Sequence, residues 1–181
     1  CNFKIDFELN INNKLAIKTR NKDETSDKQL LENRVCDLLG PEFLENSIFI
    51  EESSDNFRFK GFLGIPTFHH SNTNNQFLFV NGRPVRDKLL LGGLRGAYSD
   101  FLSRDRHPAV ALFVECEPTR VDVNVHPSKA EVRFREPALV RGLLVSGVRH
   151  ALAEAGHRSS STVSNAALGK FEVPAESRVY Q

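Results

Sequence analysis

The sequence predicts an α+β fold in which a mixed β-sheet carries helices on one face. Two kinds of pattern support this prediction. Several short segments alternate apolar and polar residues with a period of two, as half-buried strands do. Two longer segments in the second half repeat apolar residues at spacings of three and four, which is typical of amphipathic helices. The second half therefore contains two βαβ-like units, an arrangement that fits an α+β domain.

The first predicted element is a strand with its return strand. From Phe3 to Ile11 every second residue is apolar, and Leu15 and Ile17 resume the alternation after Asn12-Asn13. Asparagine tolerates the left-handed backbone conformation that a tight turn requires. The opening of the chain is therefore predicted to form a hairpin.

A helix and two strands complete the first half. Leu31, Val35 and Leu38 form a helical stripe, and Gly40-Pro41 follows it. Glycine and then proline are typical of the positions just beyond a helix C-terminus, so the helix is predicted to end there. The segments 48–50 and 57–65 are predicted to be strands.

The second predicted helix lies between two predicted strands. Residues 66–76 are polar and are predicted to form a loop, after which Phe77–Val80 forms a buried strand closed by Asn81-Gly82. A helix begins after Pro84. Its apolar stripe consists of Leu90, Leu94, Ala97 and Phe101.

The last predicted elements set the domain boundary. The segments 109–114 and 121–125 are predicted strands, and Pro137 begins a final amphipathic helix. Beyond Gly156 the apolar periodicity ends in a Ser-rich stretch. We therefore expect one domain over residues 1–156 and a flexible linker or tail over 157–181.

Composition argues against several classes of protein. No apolar run is long enough to span a membrane, and we expect no signal peptide before the first strand. The three cysteines are Cys1, Cys36 and Cys116, an odd number without CxxC spacing, which argues against a disulfide framework or a zinc site and fits a reducing cytoplasm. The chain contains no methionine and begins with cysteine, so we expect it to be a segment of a longer protein.

Charge is unevenly distributed along the chain. The first 57 residues hold seven Lys/Arg and twelve Asp/Glu, a net charge of −5, whereas the remainder holds seventeen and eleven, a net charge of +6. A basic second half is compatible with a partner that presents phosphate groups.

A candidate phosphate-binding column lies on the predicted helix after Pro84. Lys88 and Arg95 are seven residues apart and project from nearly the same side, as do the small residues Gly92 and Ser99. Small residues let a phosphate backbone approach while two cations contact it. The alternative is a solvated charged face opposite the leucine stripe. Four further arginines flank the column, namely Arg83, Arg86, Arg104 and Arg106.

A second candidate is the lysine after the strand 121–125. Pro127 cannot extend a ladder of hydrogen bonds, so the chain is expected to turn and to hold Lys129 at the tip of a rigid element. A point charge in this position suits a phosphate group. The alternative is an ordinary exposed lysine at a strand end.

Two motifs carry a resemblance to a known family. They are Phe77-Leu-Phe-Val-Asn-Gly-Arg-Pro-Val-Arg-Asp-Lys88 and Val121-Asp-Val-Asn-Val-His-Pro-Ser-Lys129. In this order they resemble the MutL family of DNA mismatch-repair proteins, and the resemblance runs from roughly Phe3 to Leu152. It implies the transducer domain that follows a GHKL-type ATPase domain, with a left-handed βαβ crossover that departs from the usual right-handed rule.

The resemblance also implies roles for the candidate residues. Lys88 matches a basic residue of a DNA-binding groove, with Arg83, Arg86 and Arg95 as its neighbours. Lys129 matches a lysine that contacts the γ-phosphate of ATP, held with Mg²⁺ mainly by the N-terminal ATPase domain of the same chain. Ser128 stands where alanine is frequent, a small change.

The family further implies the protein's setting. The implied partners are DNA, single- or double-stranded, a mismatch-recognition ATPase of the MutS type, and a second copy of the intact protein. The implied location is the bacterial cytoplasm, with no membrane partner. No catalytic residue or metal ligand is predicted within this segment, because no set of residues pairs a nucleophile with a base. We expect the intact protein, and not this segment alone, to be an ATPase.

Two other functions remain open at this stage. One is the equivalent segment of a type II topoisomerase, whose Gln-Thr-Lys signature is absent here. The other is a free-standing RNA- or ribosome-binding domain of similar fold, which the Ser-rich segment 157–181 does not favour.

Overall fold

The structure is a computed structural model that describes residues 5–19, 26–54, 56–125 and 130–168, with side chains described as far as Gly156. The strands are β1 Phe7–Ile11, β2 Lys14–Thr19, β3 Ser47–Ser54, β4 Phe57–Gly64, β5 His69–His70, β6 Gln76–Val80, β7 Arg83–Val85, β8 His107–Pro108, β9 Val110–Cys116, β10 Val121–Asp122 and β11 Arg133–Phe134. The helices are α1 Asp27–Leu39, α2 Pro41–Glu45, α3 Lys88–Ala97 and α4 Pro137–Leu168.

The largest sheet is mixed, as predicted. Its strand order is β3-β4-β9-β6-β7. Strands β6 and β9 pair in parallel, whereas the other neighbours are antiparallel. The parallel pair is joined by a crossover that includes α3, because parallel neighbours cannot be joined by a tight turn.

One face of this sheet carries the larger core. Alternate residues of β4 and β9 point to this face, and α3 and α4 cover them. Leu63, Leu112 and Val114 are fully buried there, as are Leu94 of α3 and Val148 of α4. Burying a leucine or valine side chain stabilises the fold by about 1.5–3 kcal/mol, so this layer supplies much of the driving force for folding.

The prediction of helices on one face holds for α3 and α4, whereas α1 and α2 lie on the other. Leu31, Val35 and Phe43 from these two helices pack with Phe62 of β4 and Ala111 of β9. The physical reason is that central strands β4 and β9 carry apolar residues on both sides. A strand that is apolar on both faces needs cover on both.

Helix α3 is shorter at both ends than the sequence predicts: it begins at Lys88, because residues 83–85 form strand β7, and it ends at Ala97. The Asp87 carboxylate caps it by accepting a hydrogen bond from the Leu90 amide (3.0 Å). Leu90, Leu94 and Ala97 are fully buried as predicted. The fourth predicted residue of the stripe, Phe101, lies beyond the helix and is 41% exposed, so its assignment to the buried stripe was wrong.

Tyr98 explains this difference. Its side chain is buried, and its hydroxyl donates a hydrogen bond to the Gly64 carbonyl of β4 (2.8 Å). The chain then turns, because the amides of Phe101 and Leu102 both bond back to the Tyr98 carbonyl. Tyr98 therefore anchors the end of α3 to the sheet, and the core does not extend to Phe101.

Helix α4 extends further than the periodicity indicates. Its buried residues Val140, Leu144, Val148 and Leu152 confirm the predicted amphipathic segment. The helix continues to Leu168, within the segment 157–181 that the sequence predicts to be a linker. No glycine or proline lies between Gly156 and Gly169, so no helix-breaking residue interrupts the backbone there.

Two smaller pieces differ from the predictions. Within the predicted loop 66–76, β5 pairs with β8, so His70 lies opposite His107. Strand β10 is shorter than the predicted strand 121–125, because the Asn124 amide bonds to the Asp122 carboxylate (2.8 Å) and bends the chain.

The opening hairpin forms as predicted but leaves its apolar side uncovered. Asn12 and Asn13 take positive φ angles of 51° and 59° in the turn. Phe7, Ile11 and Leu15 are 49%, 54% and 55% exposed. The hairpin is a separate two-stranded sheet, and its strand β2 contacts α1.

Candidate functional site

The two cations of the predicted column line one cavity. This cavity has a volume of about 700 Å³ and lies beside α3. Lys88, Gly92, Arg95 and Ser99 all line it, so the seven-residue spacing places these side chains as expected from helix geometry. Their role in binding stays a prediction.

Residues of the turn and the strand that follow α3 form a second wall of this cavity. Arg104, Arg106 and His107 line the cavity together with Lys88 and Arg95. The Arg95 guanidinium donates a hydrogen bond to the Arg104 carbonyl (3.1 Å), which ties the helix to this wall. The Arg106 amide bonds to the Ser103 carbonyl (3.1 Å) and fixes the turn.

Helical spacing predicts a shared surface for Lys88 and Arg95, but it does not indicate that the chain folds back and brings Arg104 and Arg106 beside them. The available signal was Ser103 and Asp105, two residue types that favour turns and that lie between the helix and the next strand.

The electrostatics of the cavity favour an anion. Among the described residues that line it, four are Lys or Arg and none is a carboxylate. Acidic neighbours do lie at its rim: Glu131 is 3.5 Å from the Lys88 ammonium, whose side chain is 88% exposed, and Asp105 is 3.6 Å from Arg106. Ion pairs this exposed contribute little energy, so the cations stay available to a phosphate group.

Asp105 is held in its ionised form. Its carboxylate accepts a hydrogen bond from the Ser103 hydroxyl (2.7 Å), which lowers the pKa of Asp105. Its own backbone hydrogen bond and the nearby Arg106 act in the same direction. A negative charge therefore lies beside the Arg106 guanidinium at the edge of the cavity.

Helix α4 holds the far end of α3 in place. The Arg149 guanidinium is 3.1 Å from the Asp100 carboxylate and donates to the Gly96 carbonyl (3.2 Å). Since Gly96 lines the cavity, this contact with α4 helps to fix the position of the α3 backbone in the cavity lining. Burial raises the pKa of the Tyr98 hydroxyl, so this second anchor stays neutral and keeps donating to Gly64.

Arg83 and Arg86 do not line this cavity. Arg83 lies in β7, opposite Val80. Arg86 lines a separate shallow cavity with Pro84 and Ala130, and its amide donates to the Ala130 carbonyl (2.7 Å). The structure thus separates these two arginines from Lys88 and Arg95, with which the sequence grouped them.

The predicted phosphate-contacting Lys129 lies outside the described residues. The structure describes the residues that precede and follow it in the chain. Before it, Val121 and Asp122 pair with Phe134 and Arg133, and after it the Ala130 carbonyl is bonded to Arg86.

Other site types can be tested against the described part of the chain. In these residues no three His, Cys, Asp or Glu side chains approach closely enough to hold a metal ion. Cys36 and Cys116 are not in disulfides. No helix that the structure describes has both the length and the apolar character needed to cross a membrane.

Comparison with known proteins places the fold and the motifs in context. Residues 35–153 match the family described as DNA mismatch repair protein, C-terminal domain. The chain is 53% identical to DNA mismatch repair protein MutL of Phenylobacterium zucineum (strain HLK1) over 167 residues, which is 92% of this chain and 26% of the relative. It is 53% identical to DNA mismatch repair protein MutL of Caulobacter vibrioides (strain NA1000 / CB15N) over 168 residues, 93% of this chain and 26% of the relative.

A solved structure supports the fold. The chain is similar to the crystal structure of the N-terminal domain of a DNA repair protein, with a TM-score of 0.62 at 21% identity. The match covers 78% of this chain and 44% of the solved one. The chain spans about a quarter of the length of the curated relatives it matches.

Proposed function

The chain belongs to the MutL family of DNA mismatch-repair proteins, and on that basis we propose that it binds the phosphate backbone of DNA through the cavity beside α3. The observation that carries the proposal is the composition of that cavity, which holds Lys88, Arg95, Arg104 and Arg106 and no carboxylate among its described lining residues. Contacts to phosphate oxygens position a protein on DNA without reading base sequence. The binding is therefore expected to be independent of sequence.

The small residues of the column support this proposal. Gly92 is exposed, and a Cβ atom built on it meets nothing within 4 Å. A phosphate group can therefore approach the α3 backbone closely while the longer Lys88 and Arg95 side chains contact it from the same helix.

The test is a salt series with the double variant Lys88→Glu, Arg95→Glu. The log of the DNA affinity falls linearly with the log of the salt concentration, and each lost phosphate contact reduces the slope by about 0.9 on duplex DNA. We expect weaker binding and a slope about two units smaller, measured by fluorescence anisotropy on single- and double-stranded oligonucleotides.

A control with the same charge change is Lys14→Glu, Lys28→Glu. Both lysines are exposed, and neither lines the cavity. This variant should keep the native slope. Equal slopes for the native chain and the Lys88/Arg95 variant would remove the cavity from the DNA interface.

We propose in addition that Lys129 links this segment to ATP. The support is the resemblance of the motif ending at Lys129 to the family's ATP-contacting lysine. The adjacent pair Gly92-Gly93 lies inside α3, so it is not a phosphate-binding loop of an ATP site. ATP and Mg²⁺ would be held mainly by a neighbouring ATPase domain, and this segment would not be an enzyme by itself.

The ATP proposal is tested in a full-length protein that contains this segment. Lys129→Ala should lower ATP turnover, because a positive charge would no longer meet the γ-phosphate. The thermal transition of the domain should stay unchanged. A lost transition would mean that the lysine has a structural role instead.

The remaining family properties complete the proposal. We propose that the intact protein acts in the bacterial cytoplasm as a homodimer and passes its nucleotide state to a MutS-type mismatch-recognition ATPase. A pull-down of that partner by the native protein and by Lys129→Ala, with and without ATP, tests whether the lysine matters for recruitment.

A further inference from the structure

The cavity beside α3 has two chemically different walls. Its cations come from α3 and from the turn after it, as described above. Three apolar residues, Leu91, Leu102 and Pro108, also line it and are called its apolar wall below; uncharged polar residues such as Thr73, Gln76 and Ser103 lie beside them. The two leucines are half-buried and pack on the main core, so their positions are fixed.

Neither the volume nor the apolar wall is needed by phosphate alone. A phosphate group is satisfied by cations and hydrogen-bond donors on a surface. A cavity of about 700 Å³ lies within the size range of sites for whole small molecules, which combine apolar surface with a few polar groups. A nucleotide has both parts, since its base is flat and largely apolar on its faces and its phosphate is anionic.

We propose that this cavity takes one unpaired nucleotide of a DNA strand, with the base against the apolar wall and the phosphate against Arg95, Arg104 and Lys88. The inference rests on the proposed function and adds a base contact to it. A base inside a duplex is stacked and paired, so the nucleotide must come from a single strand, a strand end or an extruded position. Apolar contact with a base face does not read hydrogen-bonding edges, so the contact is independent of sequence.

Gly92 allows the cavity to be filled without changing its charge. It is exposed on α3 and lines the cavity, and a Cβ atom there meets nothing within 4 Å. In Gly92→Leu the new side chain occupies space beside Leu91 and Arg95. Leucine is a much better helix former than glycine, so the thermal midpoint of this variant should not fall.

Gly142 provides a matched control. It is also exposed, lies within α4, and has nothing within 4 Å of a Cβ atom, but it does not line the cavity. Gly142→Leu therefore makes the same chemical change on a helix surface and leaves the cavity open.

The experiment compares two ligands that differ only in their bases. The full 181-residue chain is titrated with a thymidine 12-mer and with an abasic 12-mer of the same phosphate count, at several salt concentrations. The native chain and Gly142→Leu should bind the thymidine oligomer roughly five- to tenfold more tightly, as expected for burial of part of one base. Gly92→Leu should bind both oligomers with the same affinity.

Two outcomes overturn the inference and leave the proposed function standing. One is equal affinity of the native chain for both oligomers with a steep salt slope, which means that only the backbone is bound. The other is an unchanged preference for thymidine in Gly92→Leu. A native chain that binds neither oligomer, or binds both without salt dependence, overturns the proposed function and the inference together.

Competition distinguishes a nucleotide site from a simple phosphate site. Thymidine monophosphate and inorganic phosphate are each titrated against the bound thymidine 12-mer. We expect the mononucleotide to displace the oligomer at a concentration at least about fivefold lower, since it fills both walls. Displacement at equal concentrations would leave a phosphate site only and would refute the base contact.

Discussion

Gly61 of β4 lies so close to β9 that no side chain fits there. A Cβ atom on Gly61 would be 2.1 Å from the Ala111 carbonyl oxygen, and its φ of +153° disfavours any other residue. The strand alternation of β4 places position 61 on the core face but does not reveal this approach. A period-two pattern shows which face a residue takes, and not how near the neighbouring backbone comes.

Gly61→Ala should therefore destabilise the fold strongly. The obstacle is backbone, which cannot move aside as the end of a flexible side chain can. We expect a loss of about 3 kcal/mol or more in the free energy of unfolding, measured by urea denaturation. Gly142→Ala, at an open helical position, should instead gain about 0.5–1 kcal/mol. Equal stabilities of the native chain and Gly61→Ala would mean that β4 and β9 are further apart than described.

The buried hydroxyl of Tyr98 makes a second prediction at this scale. Tyr98→Phe leaves the Gly64 carbonyl without its donor, so we expect a loss of about 1–2 kcal/mol at neutral pH. Burial raises the pKa of Tyr98 in the folded state, and folding therefore favours the protonated form. The stability from this group is complete below the unfolded pKa of about 10 and is lost as pH rises above it.

Measurement of the free energy of unfolding across alkaline pH tests the direction of this pH dependence. The native chain should lose stability between pH 10 and about 11 more steeply than Tyr98→Phe. Only in the native chain does unfolding expose a buried tyrosine, and its ionisation stabilises the unfolded state. Parallel stability curves for the two proteins would contradict the burial of this hydroxyl.

At the scale of elements, helix limits depend on contacts that sequence periodicity does not contain. The start of α3 is predictable, because Asp87 is a good capping residue and lies three positions before Leu90. Its end is not, because Tyr98 binds Gly64 in a strand far away in the chain. Helix α4 shows the converse, since its backbone stays helical where its apolar periodicity has ended.

The N-terminal caps of α3 and α1 allow the energetic contribution of a buried cap to be compared with that of an exposed cap. Asp87 caps α3 and is 5% exposed, whereas Ser26 caps α1 and is exposed, with a longer bond of 3.3 Å to Gln29. We expect Asp87→Ala to cost about 1–2 kcal/mol and Ser26→Ala about 0.5–1 kcal/mol in chemical denaturation. Asp87→Ala should also weaken DNA binding, since it frays the turn that carries Lys88. A greater cost for Ser26→Ala would contradict this ranking.

At the scale of the molecule, the α+β class and the mixed sheet could be predicted, and the covering of both faces could not. The apolar residues Phe62 and Ala111 point away from the main core, and their partners in α1 come from distant sequence. The candidate site divides in the same way. The spacing of Lys88 and Arg95 along one helix predicts their shared wall, whereas Arg104 and Arg106 join it only because the chain reverses.

The distribution of packing predicts where the molecule opens most easily. Strand β9 has neighbours on both sides and helices on both faces, whereas the β1–β2 hairpin is two-stranded with an exposed apolar side. Two-stranded hairpins are marginally stable by themselves. Amide hydrogen exchange should therefore be slowest in β9 and faster by at least about a hundredfold in the hairpin. Equal protection of the two would show that the hairpin is held by contacts beyond those described.

The crossover between β6 and β9 has a consequence for the order of folding. Most of the cavity, including all four of its Lys and Arg residues, lies on the chain between these two parallel strands. Closing so long a loop costs entropy that is recovered only when the strands pair, and such non-local pairing is slow. We therefore expect that the cavity does not form in a partly folded chain in which β6 and β9 have not yet paired. During refolding, the recovery of salt-dependent DNA binding should coincide with the slowest step and report on completion of the sheet.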